Sequence, residues 1–507
     1  MKKMSVADFF CGAGGFSEGF RQKGFNVIFA LDNWKPACDT HELNHPKCKH
    51  APMNILELDT PEKIDETVLD VDVLIGSPPC VAFSGSNKAG KADKSLGIQL
   101  IETYLRIVAW KKSKGQLKYW ILENVPNSEK YIKDNYTWKE LGLPGKGPNL
   151  EIPQRNIFNA ADFGAPQARK RFVCGDYPPP EKSCKDESEW LTLEKIMENL
   201  PNPLINDMDS EIIDPVYNFR ISSEKLTDHS YDSCIEDFEW KRAKRLKEDH
   251  GFMGKMAFPE KMDRPSRTVM ATRSASTRES MILEAIDTNG NNIGYRLPTI
   301  REVATMMSFP ITYQFEAGNE SSKYRLVGNA VCPKMSGALA EAIAKKENIK
   351  LSKHFIQLPD TKPTFDLTGT KRISKKPNPR KHNAKFSTHI PYLKTRSFRV
   401  DLNNIESDFN NNRFRWSCAL HQGTGKNAFR AEIGQQKVEA LFKDVKKFGA
   451  FSDDVKRQFK DLNMTHSELQ ESYCLNGASK RINPEKVLDN IKVLVDKHFP
   501  EEKYLTT

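Results

Sequence analysis

The chain has 507 residues, 38% hydrophobic and 28% charged, with a net charge of +10. That is material for a large core, about three domains by length alone, and it excludes collagen-like and wholly disordered classes. No apolar run reaches the ~18 residues of a membrane helix, and the opening MKKMSVADFFCGAGGF lacks the apolar stretch of a secretion signal, so the expectation is a soluble cytoplasmic protein with no membrane partner.

The first 177 residues read as alternating strands and helices. Ser5–Phe10 predicts a strand, Cys11–Gly15 a glycine turn and Ser17–Lys23 a helix. Asn26–Leu31 predicts a second strand that ends on Asp32. Val71–Ile75 is a buried-type strand running into Ser77-Pro78-Pro79-Cys80. Gln99–Lys112 has helical periodicity, and Tyr119–Leu122 predicts a strand that ends at Glu123-Asn124. Asn159–Phe163 and Arg171–Cys174 predict two more strands. This alternation predicts an α/β fold, a doubly wound and mostly parallel sheet whose ligands sit beyond the carboxyl ends of its strands. The pattern is lost over residues 179–262, and helices return at Pro298–Met307 and Lys334–Lys345. Between Lys371 and Arg399 there are ten basic and no acidic residues, which accounts for the whole charge surplus. Such a block suits a polyanion, and a solvated linker is the plain alternative. Globular character resumes after about residue 400 and ends in a helix over Pro484–His498.

Chemistry gathers at the strand ends. Glycines 12, 14 and 15 let a ligand approach the backbone and a helix N-terminus. Asp32 stands where an acidic residue holds ribose hydroxyls, and Trp34 offers an indole for a purine. Together they suggest an adenosine-containing cofactor; a capping Asp and a core Trp are the plainer reading. Cys80, stiffened by Pro78 and Pro79, is placed as a nucleophile. Glu123 can exchange a proton beside it. Arg169 and Arg171 are two apart, so both can project on one face of an extended segment. The ten cysteines include no CxxC pair, which predicts reduced thiols.

The ordered blocks DFFCGAGGFSEGF, LDNWKPA, SPPCVAFS, LENV, PQARKR, RPSRTVMATR and RLVGNAVCP resemble the DNA cytosine-5 methyltransferase family of bacterial or phage type. The resemblance spans residues 5–345. It implies a methyltransferase sheet with an inserted target-recognition domain, divided as 1–178 and 263–348 for the catalytic part and 179–262 for recognition; beyond it, charge and pattern suggest a basic linker over 349–400 and an accessory α+β domain over 401–507. It implies that S-adenosylmethionine is held by Phe10, Gly12, Gly14, Gly15, Asp32, Trp34, Asn54, Ile55, Pro78, Asn329 and Val331. Cys80 would attack carbon 6 of a flipped cytosine, Glu123 would protonate N3, Arg171 would contact the carbonyl oxygen, and Arg169 is its paired arginine. Ser84, Gln167 and Arg267 would meet double-stranded DNA, with Arg264 and Arg267 supporting the recognition domain; outside the resemblance, the charge of the basic segment suggests that Lys371, Arg372, Lys375, Lys376, Arg380 and Lys381 also meet DNA phosphates. A monomer in the bacterial nucleoid, accompanied by a restriction endonuclease, completes the expectation. Val81 stands where many relatives have Gln, and Asn54 where many have Asp.

Other readings compete. A tRNA-acting relative would use the same chemistry, and an inactive homologue would only bind DNA. Cys38, His41, His45 and Cys48 have zinc-like spacing, but the segment reads as a packed helix and no metal is expected. Gly423–Lys426 lacks the full Walker spacing. Asp401 and Glu432 could serve a fused nuclease, but no convincing carboxylate set accompanies them. Arg413, Phe414, Arg415 and Trp416 alternate as a DNA-facing or an ordinary amphipathic strand would.

Overall fold

The structure, a computed structural model, describes residues 3–80, 83, 93–205, 211–248, 256–352, 354–376, 378–393, 398–422, 429–432, 445–475 and 482–498; for 389–393, 398–400, 420–422, 429–432, 445–448 and 495 only the backbone is described. Ser84 and Gly423–Lys426 lie outside these residues. The chain forms two compact units. One comprises Met1–Ile235, Pro259–Ala275 and Ser280–Arg372; the other comprises Glu236–Phe258, Ser276–Glu279 and Ile373–Thr507.

The first unit is built on a seven-stranded sheet. Its strands are β1 (Ser5–Phe9), β2 (Asn26–Asp32), β3 (Lys49–Pro52), β4 (Val73–Gly76), β5 (Tyr119–Asn124), β6 (Gln154–Asn159) and β7 (Lys170–Asp176), in the spatial order 3-2-1-4-5-7-6. Strands β1 to β5 run parallel, and β7 is antiparallel to both β5 and β6. The order reverses between β1 and β4, which opens a crevice at their carboxyl ends.

The strands are apolar because both faces are covered. Val6, Val73, Ile75, Ile121 and Val173 face one core, while Ala7, Phe9, Leu74, Trp120 and Phe172 face the other. Helices α1 (Gly15–Gln22), α2 (Lys35–Asn44), α3 (Pro61–Thr67) and α4 (Ser95–Ser113) follow the strands, and α5 (Leu193–Asn199) begins the less regular part. The second core takes Ile64 from α3 and Ile101, Leu105 and Val108 from α4. The first is closed by later chain: α7 (Ile300–Met306) and the segment after it, with α8 (Glu320–Asn329) and α9 (Pro333–Lys346), place Val303, Phe309, Tyr313, Leu326 and Leu339 in one core with Phe16 and Phe20 of α1. Each such side chain contributes about 1.5–3 kcal/mol by leaving water.

Two local expectations are corrected. Residues 160–163 are not a strand: β6 ends at Asn159, and Ala160–Phe163 form a 3-10 turn that closes on Gly164 at φ 81°. The Asn159 side chain accepts from the Arg169 N–H at 2.9 Å, and the short apolar run is buried without a strand's period. Strand β3 went unforeseen because Lys49-His50-Ala51-Pro52 is polar; it is tolerated at the sheet edge.

Two hairpins complete the first unit: β8 (Glu211–Ile213) with β9 (Arg220–Ser222), and β10 (Leu283–Ile286) with β11 (Asn292–Arg296). The second unit is α+β. An antiparallel meander of β12 (Ser387–Leu393), β13 (Phe398–Asn403), β14 (Ser417–Gln422) and β15 (Phe429–Glu432) accompanies α10 (Val445–Asp461), α11 (His466–Leu475) and α12 (Pro484–His498). Leu402, Trp416, Phe451, Tyr473, Val487 and Ile491 share its core. Helix α6 (Asp237–Glu248) belongs to this unit, with Arg245 donating to Glu485 O at 3.4 Å and lying 3.6 Å from Asp489. Residues 179–262 are therefore divided between the two units. Residues 413–416 lie outside any strand; Trp416 is buried and Arg413 and Arg415 are exposed, the ordinary amphipathic arrangement.

Candidate active site

The sheet delivers four segments to one crevice. After β1 the chain turns sharply through Phe10 at φ 56°, Gly12 at φ 54° and Gly14 at φ 86°. A left-handed phenylalanine is uncommon and persists only where its surroundings hold it. Here Phe10 O accepts from the Ser77 hydroxyl at 3.2 Å, and Asp32, at the end of β2, accepts from Gly12 N at 3.0 Å and Trp34 N at 2.9 Å. Each Asp32 oxygen therefore has one backbone donor and keeps a further lone pair. Burial raises the Asp32 carboxyl, and those backbone N–H groups oppose the rise. The Arg325 guanidinium lies 4.6 Å from the Trp34 ring centre.

Gly15 begins α1 where backbone must approach backbone. A Cβ there would lie 2.1 Å from Val331 O. Val331 is thus fixed against the glycine turn, and Asn329 is exposed at the end of α8. Asn54 caps the turn over Ile55–Glu57, its side chain accepting from Leu56 N at 3.1 Å while Glu57 accepts from Asn54 N at 3.0 Å. An Asp would cap in the same way, so Asn costs the turn nothing. Ile55 is wholly buried in the second core.

Cys80 follows Pro78 and Pro79 beyond β4 and is partly buried. Asn124 holds that loop: its Nδ2 donates to Pro78 O at 2.9 Å, and its Oδ1 accepts from Val125 N at 2.8 Å. Glu123 is 6% exposed and meets Arg171 Nε at 3.0 Å. Burial raises both the Cys80 thiol and the Glu123 carboxyl. Arg171 and Arg169 pull both down, and Glu123 pushes the thiol further up. A buried carboxyl of raised pKa beside a thiol and two guanidinium groups is equipped to move a proton.

The paired arginines divide their work. Arg169 is 3% exposed and donates to Val269 O at 3.1 Å, Gly328 O at 3.0 Å and Ala330 O at 3.2 Å. Burial and Arg171 lower it to about 10, so it stays charged. It therefore ties the chain near 328–330 to β7, whereas Arg171 faces Glu123. The sequence suggests that the paired arginines orient Cys80 and Glu123; the Arg169 clamp on the Val269, Gly328 and Ala330 carbonyls and the Asn124 bond to Pro78 O were not read from it, although both residues lie in recognised blocks.

Several expected DNA contacts lie elsewhere. Gln167 is wholly buried in a short parallel pair with Ser266, and its amide N and O have no hydrogen-bond partner among the described residues. Arg267 donates to both Glu260 oxygens at 3.0 Å and to Ser280 O, which braces the loop. Arg372 donates to Cys234 O. Arg380 donates to Tyr473 O at 2.8 Å and covers the Tyr473 ring at 4.2 Å. Lys375 lies 3.9 Å from Glu239, while Lys371, Lys376 and Lys381 are exposed. The zinc-like quartet is not assembled, because the Cys38 thiol donates to Asp32 O at 3.3 Å. Asp401 is buried and accepts from Asn403 Nδ2 at 3.0 Å. Among the described residues no carboxylate cluster gathers around it, and no helix is long and apolar enough to cross a membrane.

Residues 4–345 match the family model described as C-5 cytosine-specific DNA methylase. The type II methyltransferase M.DdeI of Desulfomicrobium norvegicum is 29% identical over 399 residues, covering 69% of this chain and 90% of its own. M.MthTI of Methanothermobacter thermautotrophicus is 28% identical over 361 residues, covering 68% of this chain and 97% of its own. The solved structure of S. pombe Dnmt2 methyltransferase covers 69% of this chain and 100% of its own, at 17% identity and a TM-score of 0.44. The chain belongs to the C-5 cytosine-specific DNA methylase family. Its activity is the transfer of a methyl group to carbon 5 of cytosine in DNA.

Proposed function

We propose that S-adenosylmethionine occupies the crevice between the glycine turn, Asp32 and Asn329, and that Cys80 attacks a cytosine turned out of the duplex. The observation that carries this reading is the convergence of Cys80, just beyond β4, with Glu123 and Arg171 at the adjoining ends of β5 and β7, next to the glycine turn of β1. The residues fit the cofactor: Asp32 keeps lone pairs for ribose hydroxyls, Trp34 offers a face to adenine, and Asn54 Nδ2 can donate to the adenine edge. When bound, the cofactor supplies an electrophilic methyl group. Glu123, whose carboxyl burial raises while Arg171 and Arg169 pull it down, donates a proton to N3 of cytosine. Arg171 steadies Glu123 and meets the base carbonyl oxygen. The Cys80 thiol gives its proton to water and its sulfur adds to carbon 6, which makes carbon 5 nucleophilic. After methylation the carbon-5 proton leaves to water, the carbon–sulfur bond breaks to restore the Cys80 thiolate, and N3 returns its proton to Glu123. The target must leave the stack because sulfur cannot reach carbon 6 within it.

The relatives' names, type II methyltransferases, support a place in restriction and modification, and we infer a companion endonuclease. We take the enzyme to act as a monomer. Exposed Lys371, Lys376 and Lys381 would add salt-dependent affinity for phosphate.

The test is transfer from methyl-labelled S-adenosylmethionine to duplex DNA and, separately, to tRNA. The reading expects label on cytosine in one short recurrent duplex site, abolished by Cys80→Ala. Label on tRNA alone, or label that survives Cys80→Ala, would overturn it.

A further inference from the structure

A second chemically distinct cluster lies on the opposite flank of β1. His41 of α2 is wholly buried, Cys48 is 7% exposed, and His50 of β3 is half-buried. His41 Nδ1 lies 2.8 Å from His50 Nε2, and one donor atom from each of the three residues falls within 4.8 Å of the others. We propose that His41 Nδ1, His50 Nε2 and Cys48 Sγ form a binding site for a divalent transition metal of the zinc or cobalt class. This inference does not depend on the catalytic reading.

The hydrogen bonds behind His41 set its tautomer. Ser17 Oγ donates to Asp8 Oδ2 at 2.6 Å, so it accepts from His41 Nε2 at 2.9 Å. The Nε2 proton is thereby fixed, and Nδ1 presents a lone pair towards His50 and Cys48. A carboxylate acting through a hydroxyl on the far nitrogen is the outer-shell support that metal-bound histidines use. The Asp8 Oδ1 atom is buried and has no hydrogen-bond partner among the described residues. The two nitrogens would separate to ~3.3 Å to take a tetrahedral ion with bonds of about 2.0–2.1 Å. The metal displaces the thiol proton of Cys48 to water and binds the thiolate. Two nitrogens and one sulfur suit zinc or cobalt, and water completes the set.

This is not the quartet suggested by spacing. Cys38 and His45 take no part, and His50 joins instead because β3 folds back beside α2. Helix α2 starts directly after Trp34, and β3 ends two residues before Asn54. The metal would therefore clip together the two elements that frame one side of the crevice.

The experiment uses the full chain, stripped with chelator, kept reduced with a non-thiol reductant and titrated with Co2+. One equivalent is expected to produce a sulfur-to-cobalt charge-transfer band and tetrahedral visible bands. Cys48→Ser should lose the charge-transfer band, and His50→Ala should weaken binding by roughly tenfold or more. Cys80→Ser should keep both signals. Zn2+ should raise the thermal midpoint of the stripped wild type and leave Cys48→Ser unmoved; circular dichroism checks that each variant is folded. No stoichiometric band, or a band that persists in Cys48→Ser and reports adventitious binding at other thiols, would overturn the proposal.

Discussion

Arg171 Nε lies 3.0 Å from Glu123 Oε1, joining the ends of two antiparallel strands, β7 and β5. Both side chains act on Cys80 with opposite sign: Arg171 lowers its thiol and Glu123 raises it. Glu123→Gln is therefore expected to increase the rate at which iodoacetamide labels Cys80 at pH 8, read by mass spectrometry of that peptide. Arg171→Ala should slow the same reaction. Methyl transfer should fall in both, by about 10²–10⁴-fold in Glu123→Gln if proton delivery is its role. Equal labelling rates in all three proteins would show that these charges do not reach the sulfur.

Arg169 and Arg171 should separate in stability. Lysine cannot reproduce three guanidinium bonds to Val269, Gly328 and Ala330 carbonyls. Arg169→Lys is expected to cost about 2–4 kcal/mol in urea unfolding, since buried carbonyls lose their donors. Arg171→Lys should stay within about 1 kcal/mol of wild type while losing activity. Equal costs would refute the division of roles.

Gly15→Ala reverses a general rule. Alanine usually stabilises a helix by up to about 1 kcal/mol over glycine. Here its Cβ would meet Val331 O at 2.1 Å. Separating α1 from that backbone should cost about 1–3 kcal/mol and weaken S-adenosylmethionine binding, measured by calorimetry. A more stable variant would contradict the packing.

Burial raises the Asp8 carboxyl from 3.8 to about 7. The folded state thus holds this proton more tightly than the unfolded chain. That contribution is intact below pH ~4 and is lost as pH rises towards 7. Asp8→Asn, which cannot ionise, should match wild type near pH 4 and exceed it at pH 8 by up to about 4 kcal/mol. Urea unfolding in chelator across this range checks it, and a flat difference would contradict it.

The strand ends were legible because chemistry and turn-forming residues coincide there. Gly12, Asp32, Cys80 and Glu123 each follow a run whose apolar residues are buried on both faces. Long-range pairings were not legible. Nothing local marks Arg169 as a clamp on carbonyls a hundred or more residues away. The charge of Arg380 suggested DNA, yet its partner Tyr473 is set by tertiary packing. The same holds for α6, which reads as part of an inserted segment but packs with residues of α12. His50 escaped the metal reading because β3 carries no hydrophobic pattern.

The most direct test of the central claim is to trap the adduct. Duplex DNA carrying 5-fluorocytosine in place of cytosine is incubated with enzyme and S-adenosylmethionine, digested and analysed by mass spectrometry. Carbon 5 then has no proton to lose, so the carbon–sulfur bond cannot break. The account predicts a stable link between the Cys80 sulfur and a methylated fluoropyrimidine, absent in Cys80→Ala. A methylating enzyme that forms no adduct, or forms it on another cysteine, would contradict it.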